Sequence, residues 1–167
     1  MRPSAEEVMH SIIWTFDAEI APDLSTARAK SLALTTSNLL RHVLLRMQRE
    51  AYALWDDNRE LRQLLARMQG FFAQTRDSRG HDQAIPEVLA RKYAVPGAYR
   101  GVAELEKEAF DLREAFGAAT VRLHSLQATH SSDEQYRQLR AAIREYLEHL
   151  MKRESRWIDE AFVQARR

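Results

Sequence analysis

The sequence predicts an all-α protein, an antiparallel bundle of four to five helices in a single domain that spans residues 1–167. The chain is rich in Ala, Leu, Arg, Glu and Gln, which favour helices. Glycine and proline number only five and four, and they lie near the predicted breaks. Apolar residues recur at spacings of three and four, and no stretch alternates as a strand would.

The first helix is predicted to begin at Ser4 and to end at Pro22. Ser4-x-x-Glu7 has the spacing of a capping box, in which a hydroxyl and a carboxylate satisfy free backbone N–H groups. Proline lacks the N–H that a continuing helix would need. One apolar stripe at helical spacing runs along this helix: Val8, Ile12, Phe16 and Ile20.

A second helix is predicted from Asp23 or Ser25 to Trp55, and a third from Asn58 to Thr75. The Asp-Asp-Asn sequence that ends at Asn58 would stop one helix and cap the next. One helix continuing through a kink is the alternative, because nothing in this segment forbids it. The buried face of the third helix is predicted to comprise Leu61, Leu64, Leu65, Met68 and Phe72.

Placed at about 100° per residue, the second helix has two partly apolar faces. The predicted core face comprises Thr36, Leu40, Val43, Leu44, Met47, Ala51 and Leu54. The other face comprises Leu34, Asn38, His42, Leu45, Arg49 and Tyr52. A solvated face would not need this many apolar residues. We therefore expect the second face either to be covered within the domain or to bind another chain.

The remaining elements follow from turn and capping signals. Residues 76–86 are predicted to be a mobile polar loop, Pro86–Tyr93 a short helix, and Val95-Pro96-Gly97 a turn. A fourth helix carries a heptad-like seam: Val102, Leu105, Ala109, Leu112, Phe116, Ala119, Leu123 and Leu126.

Two overlapping capping signals, Ser131-x-x-Glu134 and Ser132-x-x-Gln135, predict the start of a fifth helix. Its inward residues are expected to be Leu139, Ile143, Leu147, Leu150 and Ile158.

The composition restricts the possible chemistry. The chain has no cysteine, which excludes disulfides, zinc–thiolate sites and thiol nucleophiles. Its net charge is +1, so the whole protein offers no strong field for nucleic acid. The longest uncharged apolar stretch, Ser31–Leu40, is too short to cross a bilayer, and the N-terminus has no secretory apolar core. We expect a cytoplasmic location and no membrane association.

Charge is unevenly distributed between the first helix and the helices that follow. Residues 1–23 carry five acids against one arginine, whereas residues 25–76 carry nine Lys/Arg against four acids. The two segments are expected to attract each other within the fold. The alternative is that the basic segment meets an acidic partner.

Catalytic and metal-binding patterns are sparse. A di-metal helical bundle needs two Glu-x-x-His pairs and two further glutamates, and only Glu7-x-x-His10 has that spacing. No Gly-x-Ser-x-Gly and no phosphate-binding glycine loop is present. We therefore predict no catalytic residue, no cofactor and no metal, with Glu7 and His10 as the weak metal candidates. A metal- or small-ligand-binding bundle enzyme is retained as an alternative.

Nucleic-acid binding is a second alternative, although no helix-turn-helix pattern supports it. It would depend on arginines spread over two predicted helices: Arg41, Arg46, Arg49, Arg59, Arg62 and Arg67.

A protein-binding surface is the best supported site. Glu7, His10, Trp14 and Asp17 fall together on the first helix, opposite its apolar stripe, and an exposed tryptophan is typical of an interface anchor. The competing interpretation is that Trp14 fills a flank of the bundle. We predict that Trp14, His10 and Asp17, together with the second face of the second helix, contact another protein or a second copy of the chain.

Three stretches resemble a known family: R-P-S-A-E-E-V at Arg2–Val8, E-I-A-P-D-L at Glu19–Leu24, and the alanine-rich segment 27–40 followed by R-M-Q-R-E, which ends at Glu50. They are similar to a family of small, uncharacterised bacterial helical proteins. Its members open with an Arg-Pro-Ser/Thr-Ala-x-Glu-Leu motif, followed by an acidic helix ending in proline and an alanine-rich helix ending in Arg-Glu.

Proteins of that family are typically encoded beside aminoglycoside-phosphotransferase-like kinases and acyl-CoA dehydrogenases. The resemblance implies an accessory subunit of such a kinase in hydroxy-acid or hydroxyacyl-CoA breakdown, and it carries over no catalytic residue. The long C-terminal helical hairpin departs from the family pattern.

Overall fold

The computed structural model describes residues 2–75, 84–93 and 100–163. The protein is all-α, and no strand occurs in these three ranges. The prediction of the fold class is therefore confirmed. Its helices are α1 (Ala5–Thr15), α2 (Ala27–Gln74), α3 (Ala84–Ala90), α4 (Val102–Ser125), α5 (Gln127–His130) and α6 (Glu134–Val163).

The N-terminus of α1 forms the predicted capping box. Ser4 Oγ accepts the backbone N–H of Glu7 at 3.1 Å, and Glu7 Oε2 accepts the N–H of Ser4 at 2.7 Å. After α1, the chain continues as a π-helical turn, Phe16–Ile20, and a 3₁₀ turn, Ala21–Asp23. The α-helix thus ends earlier than the predicted end at Pro22, whereas the helical turns that follow it end one residue after Pro22, at Asp23.

One continuous helix, α2, replaces the predicted second and third helices. It begins after Thr26, whose Oγ1 accepts the backbone N–H of Ala29 at 3.1 Å, and not at Asp23 or Ser25. The predicted stop at Asp57 and Asn58 is wrong. Both residues are buried inside the helix, where α4 supplies partners for their side chains. The alternative of continuation is therefore confirmed.

Tertiary contacts group the chain into two units, both of which include part of α2. Unit 1 comprises residues 1–50 and 151–167, and unit 2 comprises residues 51–150. The prediction of one domain is not decided by this grouping and stays a prediction.

Unit 2 is a helical bundle built from the second half of α2 with α3, α4 and α6. Asn58 contacts Leu105, and Arg122 lies over Phe72, so α2 and α4 run in the same direction. On α6 the order is reversed. Tyr136 packs near Phe71 of α2, and His149 bonds to Glu60.

The core of unit 2 lies where α2, α4 and α6 meet. The predicted interior of the second half of α2, from Leu61 to Phe72, is buried, and so is most of the α4 seam. Val102 and Phe116 are the seam members that stay partly accessible. The seam prediction is therefore confirmed for six of eight positions: Leu105, Ala109, Leu112, Ala119, Leu123 and Leu126.

On α6 the inward face differs from the prediction. Tyr136 and Tyr146 are buried beside Leu139 and Ile143, whereas Leu147 is exposed. Tyr146 and Leu147 both lie at spacings of three and four from Ile143 and Leu150, so the pattern fits either residue, and the structure buries Tyr146. The Ile158 side chain lies outside the described residues.

Two predicted boundaries also shift. The cap of α6 is Asp133, whose Oδ1 accepts the N–H of Gln135 at 2.8 Å, and not Ser131 or Ser132. Residues 84–86 of the predicted loop form the start of α3, so the predicted short helix begins earlier than Pro86. The rest of that loop, residues 76–83, and the predicted turn at Val95-Pro96-Gly97 lie outside the described residues.

Candidate interaction surfaces

In unit 1, α1 packs antiparallel to the first half of α2. Glu6 pairs with Gln48 at 2.5 Å, and Asp17, later in the chain, forms a salt bridge with the earlier part of α2 at Arg41. The Asp17–Arg41 salt bridge thus joins the acidic first segment to the basic second segment, as expected for attraction within the fold. These two contacts mark one edge of the α1–α2 contact, which we call the polar edge.

The contact between α1 and α2 buries only a few side chains. Ala33, Ser37 and Leu44 are buried on α2, and Met9 and Ile13 are half-buried on α1. No residue of α1 is fully buried. The predicted core face of α2 is therefore partly wrong, because Thr36, Val43 and Met47, among its members, are exposed. The buried residues Ala33 and Ser37 instead lie on a neighbouring face of α2.

The predicted partner residues of α1 lie along the polar edge. Glu6, His10, Trp14 and Asp17 follow one another at helical spacing on this side of α1. Trp14 is 63% exposed, and His10 is exposed with its Nε2 3.8 Å from Glu6 Oε1. Asp17 is half-buried because it pairs with Arg41.

The predicted second face of α2 divides between accessible and covered residues. Leu34 and Arg49 are exposed, His42 and Leu45 are half-buried, and Asn38 is buried. Tyr52 belongs to unit 2, where it is exposed and its ring lies 6.4 Å from that of Trp55. The structure thus leaves Trp14 and Leu34 as the large apolar side chains that unit 1 exposes among the predicted partner residues.

A cavity of about 370 Å³ opens on the polar edge of unit 1. Lys30 and Arg41 contribute positive charge, and Asp17 contributes negative charge. Ser37 lines this cavity, and its buried hydroxyl has no hydrogen-bond partner among the residues that the structure describes. The π-helical turn brings Asp17 and Ala21 to this cavity. The sequence does not predict this cavity, because a π-helical turn has no distinctive residue pattern.

The other edge of the α1–α2 contact is apolar. A shallow groove along α1 is lined by the predicted stripe, including Val8, Ile12 and Ile20. An apolar stripe on a helix usually packs into a core. These three side chains stay exposed instead, because α1 turns Met9 and Ile13 toward α2. Helical periodicity places Val43 and Met47 of α2 on the side away from Arg41, and therefore on the same edge as Val8 and Ile12.

The weak metal candidates have other contacts. The Glu7 carboxylate caps α1, and accepting the Ser4 backbone N–H holds the pKa of that carboxyl below its usual value. Within the described ranges, no group of three His, Cys, Asp or Glu side chains converges as a metal site would require.

The arginines predicted for nucleic-acid contact are largely paired with acids. Arg41 pairs with Asp17, Arg46 with Glu50, Arg59 with Asp56, and Arg62 with Glu108. These acids reduce the positive charge that a phosphate backbone would meet.

Buried charge is concentrated in unit 2. Glu108 and Asp57 are almost inaccessible, and each contacts at least one arginine: Glu108 pairs with Arg62 and Arg100, and Asp57 pairs with Arg113 at 2.7 Å. Burial, followed by the negative charge of Asp57, raises the pKa of Tyr146 to about 12. Every carboxylate in this group is held by a guanidinium, so the arrangement is suited to holding helices together.

None of the helices described is both long enough and apolar enough to cross a membrane. No family model, curated protein or solved structure matches the chain.

Proposed function

We propose that the protein is a non-catalytic accessory subunit that binds another protein through the polar edge of unit 1. The observation that carries the proposal is the exposure of Trp14, of which 63% is accessible on a helix that buries none of its residues. A tryptophan left in water gains nothing for the folded monomer, whereas at an interface it is among the most effective anchors.

The surroundings of Trp14 suit a protein partner. His10 lies one turn before it, and the Asp17–Arg41 salt bridge lies one turn after it. An apolar anchor with polar neighbours is the usual composition of an interface that must also be stable in water. The nearby cavity could accept a partner side chain between Lys30 and Arg41.

The identity of the partner rests on the family resemblance of the first fifty residues. On that basis the partner is an aminoglycoside-phosphotransferase-like kinase that acts in the cytoplasm on a hydroxy-acid or hydroxyacyl-CoA. The subunit would then contribute binding surface and no reacting group.

Co-expression with an aminoglycoside-phosphotransferase-like kinase of the kind encoded beside members of the resembled family, followed by titration calorimetry of the purified pair, tests the proposal. We expect Trp14→Ala to raise the Kd by about tenfold or more, as loss of an interface anchor does. The matched control is Phe110→Ala, because Phe110 is 69% exposed on α4 of unit 2. An unchanged Kd for Trp14→Ala, or an equal effect of both variants, would contradict the proposed surface.

A further inference from the structure

Residues at spacings of three and four form one row along each half of α2, which we call the α2 seam. A neighbouring helix covers this row in unit 2 but not in unit 1. Spacings of three and four connect Leu32, Thr36, Leu39, Val43 and Met47 in unit 1. The same spacing continues in unit 2 through Leu54, Asn58, Leu61, Leu65, Met68 and Phe72. In unit 2, residues 58–72 of this seam are buried.

The cover in unit 2 is a helix. Asn58 Nδ2 donates to Leu105 O of α4 at 2.9 Å, and Arg122 of α4 lies 4.3 Å from the centre of the Phe72 ring. The seam of unit 2 therefore packs against α4 as a helical bundle does. In unit 1 the equivalent residues are exposed.

The α1 stripe extends this uncovered surface. The contacts Glu6–Gln48 and Asp17–Arg41 define the polar edge, and the stripe lies on the other side of α1. Helical periodicity places Leu39, Val43 and Met47 on that same side of α2. Together they form what we call the apolar face of unit 1: Val8, Ile12, Ile20, Leu39, Val43 and Met47, each between 43% and 58% exposed.

An apolar surface of this extent is unusual on a monomer and marks an interaction site. Its charge pattern indicates which occupant it suits. Residues 1–23 carry five acids and one arginine, whereas residues 24–50 carry five Lys/Arg and one glutamate. The face thus has an acidic helix on one side and a basic helix on the other.

Such a face is complementary to itself. A two-fold axis parallel to the helices would place α1 of one copy over α2 of the other, antiparallel, so acidic and basic helices would meet at both contacts. An arrangement that stacked α1 on α1 would oppose like charges. Joined in the first way, α1 and α2 of the two copies pack as the four helices of a bundle do.

We propose that the protein self-associates through the apolar face of unit 1, as a two-fold dimer in which α1 of each copy packs against α2 of the other. Because α1 and α2 are antiparallel and residue 6 is level with residue 48, residue 12 is level with about residue 43. The dimer therefore brings Ile12 of one copy against Val43 of the other. This surface lies opposite the polar edge, so the dimer does not depend on the proposed kinase-like partner.

Sedimentation velocity of the full chain over a concentration series tests the dimer. We expect twice the monomer mass at high concentration, and a Kd raised about a hundredfold or more by Leu39→Glu or by Val43→Glu, because each variant places two unpaired carboxylates in the contact. The control is Val121→Glu, since Val121 is 73% exposed on α4 of unit 2. Circular dichroism verifies that each variant folds.

A charge-exchange experiment tests the pairing of α1 with α2. Val43→Glu and Ile12→Lys should each be monomeric alone. A mixture of the two should dimerise, because the introduced carboxylate of one variant would then meet the introduced ammonium group of the other at one contact, while the second contact remains apolar. A wild-type chain that stays monomeric at every concentration would overturn the proposal. So would a dimer that Val121→Glu weakens equally, or a mixture that stays monomeric.

Discussion

Glu108 of α4 accepts a hydrogen bond from Arg62 Nε of α2 at 2.5 Å, although only 3% of the Glu108 side chain is accessible to solvent. The second carboxylate oxygen contacts Arg100 and lies 3.3 Å from Asn58 Nδ2. Arg62 also donates to the backbone carbonyl of Leu89 at 3.0 Å, at the end of α3. The buried carboxylate of Glu108 thus connects α4 to α2 and to the segment before α4. Arg62, which binds this carboxylate, also connects α3 through the carbonyl of Leu89.

Glu108→Gln should destabilise unit 2 because it removes the negative charge that compensates two partly buried guanidinium groups. We expect the free energy of unfolding to fall by about 3 kcal/mol, as it does when one partner of a buried ion pair is lost. Urea unfolding measures it. Glu106→Gln is the control, since Glu106 is exposed on the same helix. Equal losses for the two variants would show that burial of the carboxylate is unimportant.

Leu112→Ala should open a cavity at the centre of the α4 seam, because Leu112 is fully buried in the core cluster. The expected loss in the free energy of unfolding is about 3 kcal/mol. Thermal and urea unfolding measure the loss, with Val121→Ala on the exposed side of α4 as the control. A loss below about 1 kcal/mol would mean that the three helices do not meet tightly at this position.

Tyr146 should make the stability of unit 2 depend on alkaline pH. Burial and the charge of Asp57 raise its pKa to about 12 in the folded chain, above the ordinary value of 10.0. The neutral phenol therefore contributes stability that is fully present below pH 10 and lost as pH rises toward about 12, by about 2–3 kcal/mol.

Urea unfolding at a series of pH values, monitored on the wild type and on Tyr146→Phe, measures this dependence. The decline between about pH 10 and 12 should be smaller in Tyr146→Phe. Tyr52→Phe is the control, because Tyr52 is exposed. If Tyr146→Phe shows the same decline as the wild type, the loss of stability at alkaline pH comes from titrating groups other than Tyr146.

Ser4→Ala should loosen the first turn of α1, because the Ser4 hydroxyl caps the N–H of Glu7. We expect the free energy of local opening of α1 to fall by about 1 kcal/mol, which is measured as faster amide hydrogen exchange in α1. Acidification should act in the same direction. The lowered pKa of Glu7 means that its contribution is present above the ordinary carboxyl pKa and is lost as pH falls through the lowered value. Ser125→Ala, at the end of α4, should leave exchange in α1 unchanged.

The segment at Asp57 and Asn58 shows why one predicted boundary was wrong. Acidic and amide side chains are the usual N-caps, so the local pattern favoured a stop. In the protein, Asp57 instead pairs with Arg113, and Asn58 donates to Leu105 O and lies against Glu108. These partners are about fifty residues away in sequence, and no local signal reports them.

The candidate surfaces also depend partly on contacts that local sequence patterns do not report. Trp14 was identified from its position on the helix opposite the stripe, and it is exposed in the structure. The cavity beside Ser37 depends on a π-helical turn that brings Asp17 near Arg41, and the sequence contains no marker for such a turn. Tyr146 was overlooked because Leu147, the more apolar neighbour, occupies an almost equivalent place in the pattern.

By itself, the sequence determined that the protein is helical, where α1 is capped and which face of α4 is buried, because capping and heptad spacing act over a few residues along one helix. Only the tertiary structure decided that α2 is continuous and which of its apolar faces is covered. Two faces of α2 have similar apolar content, so the choice depends on where α1 and α4 approach it. Buried side chains such as Ala33 and Glu108 lie where helices distant in sequence pack, so the local pattern around each residue does not report the contact.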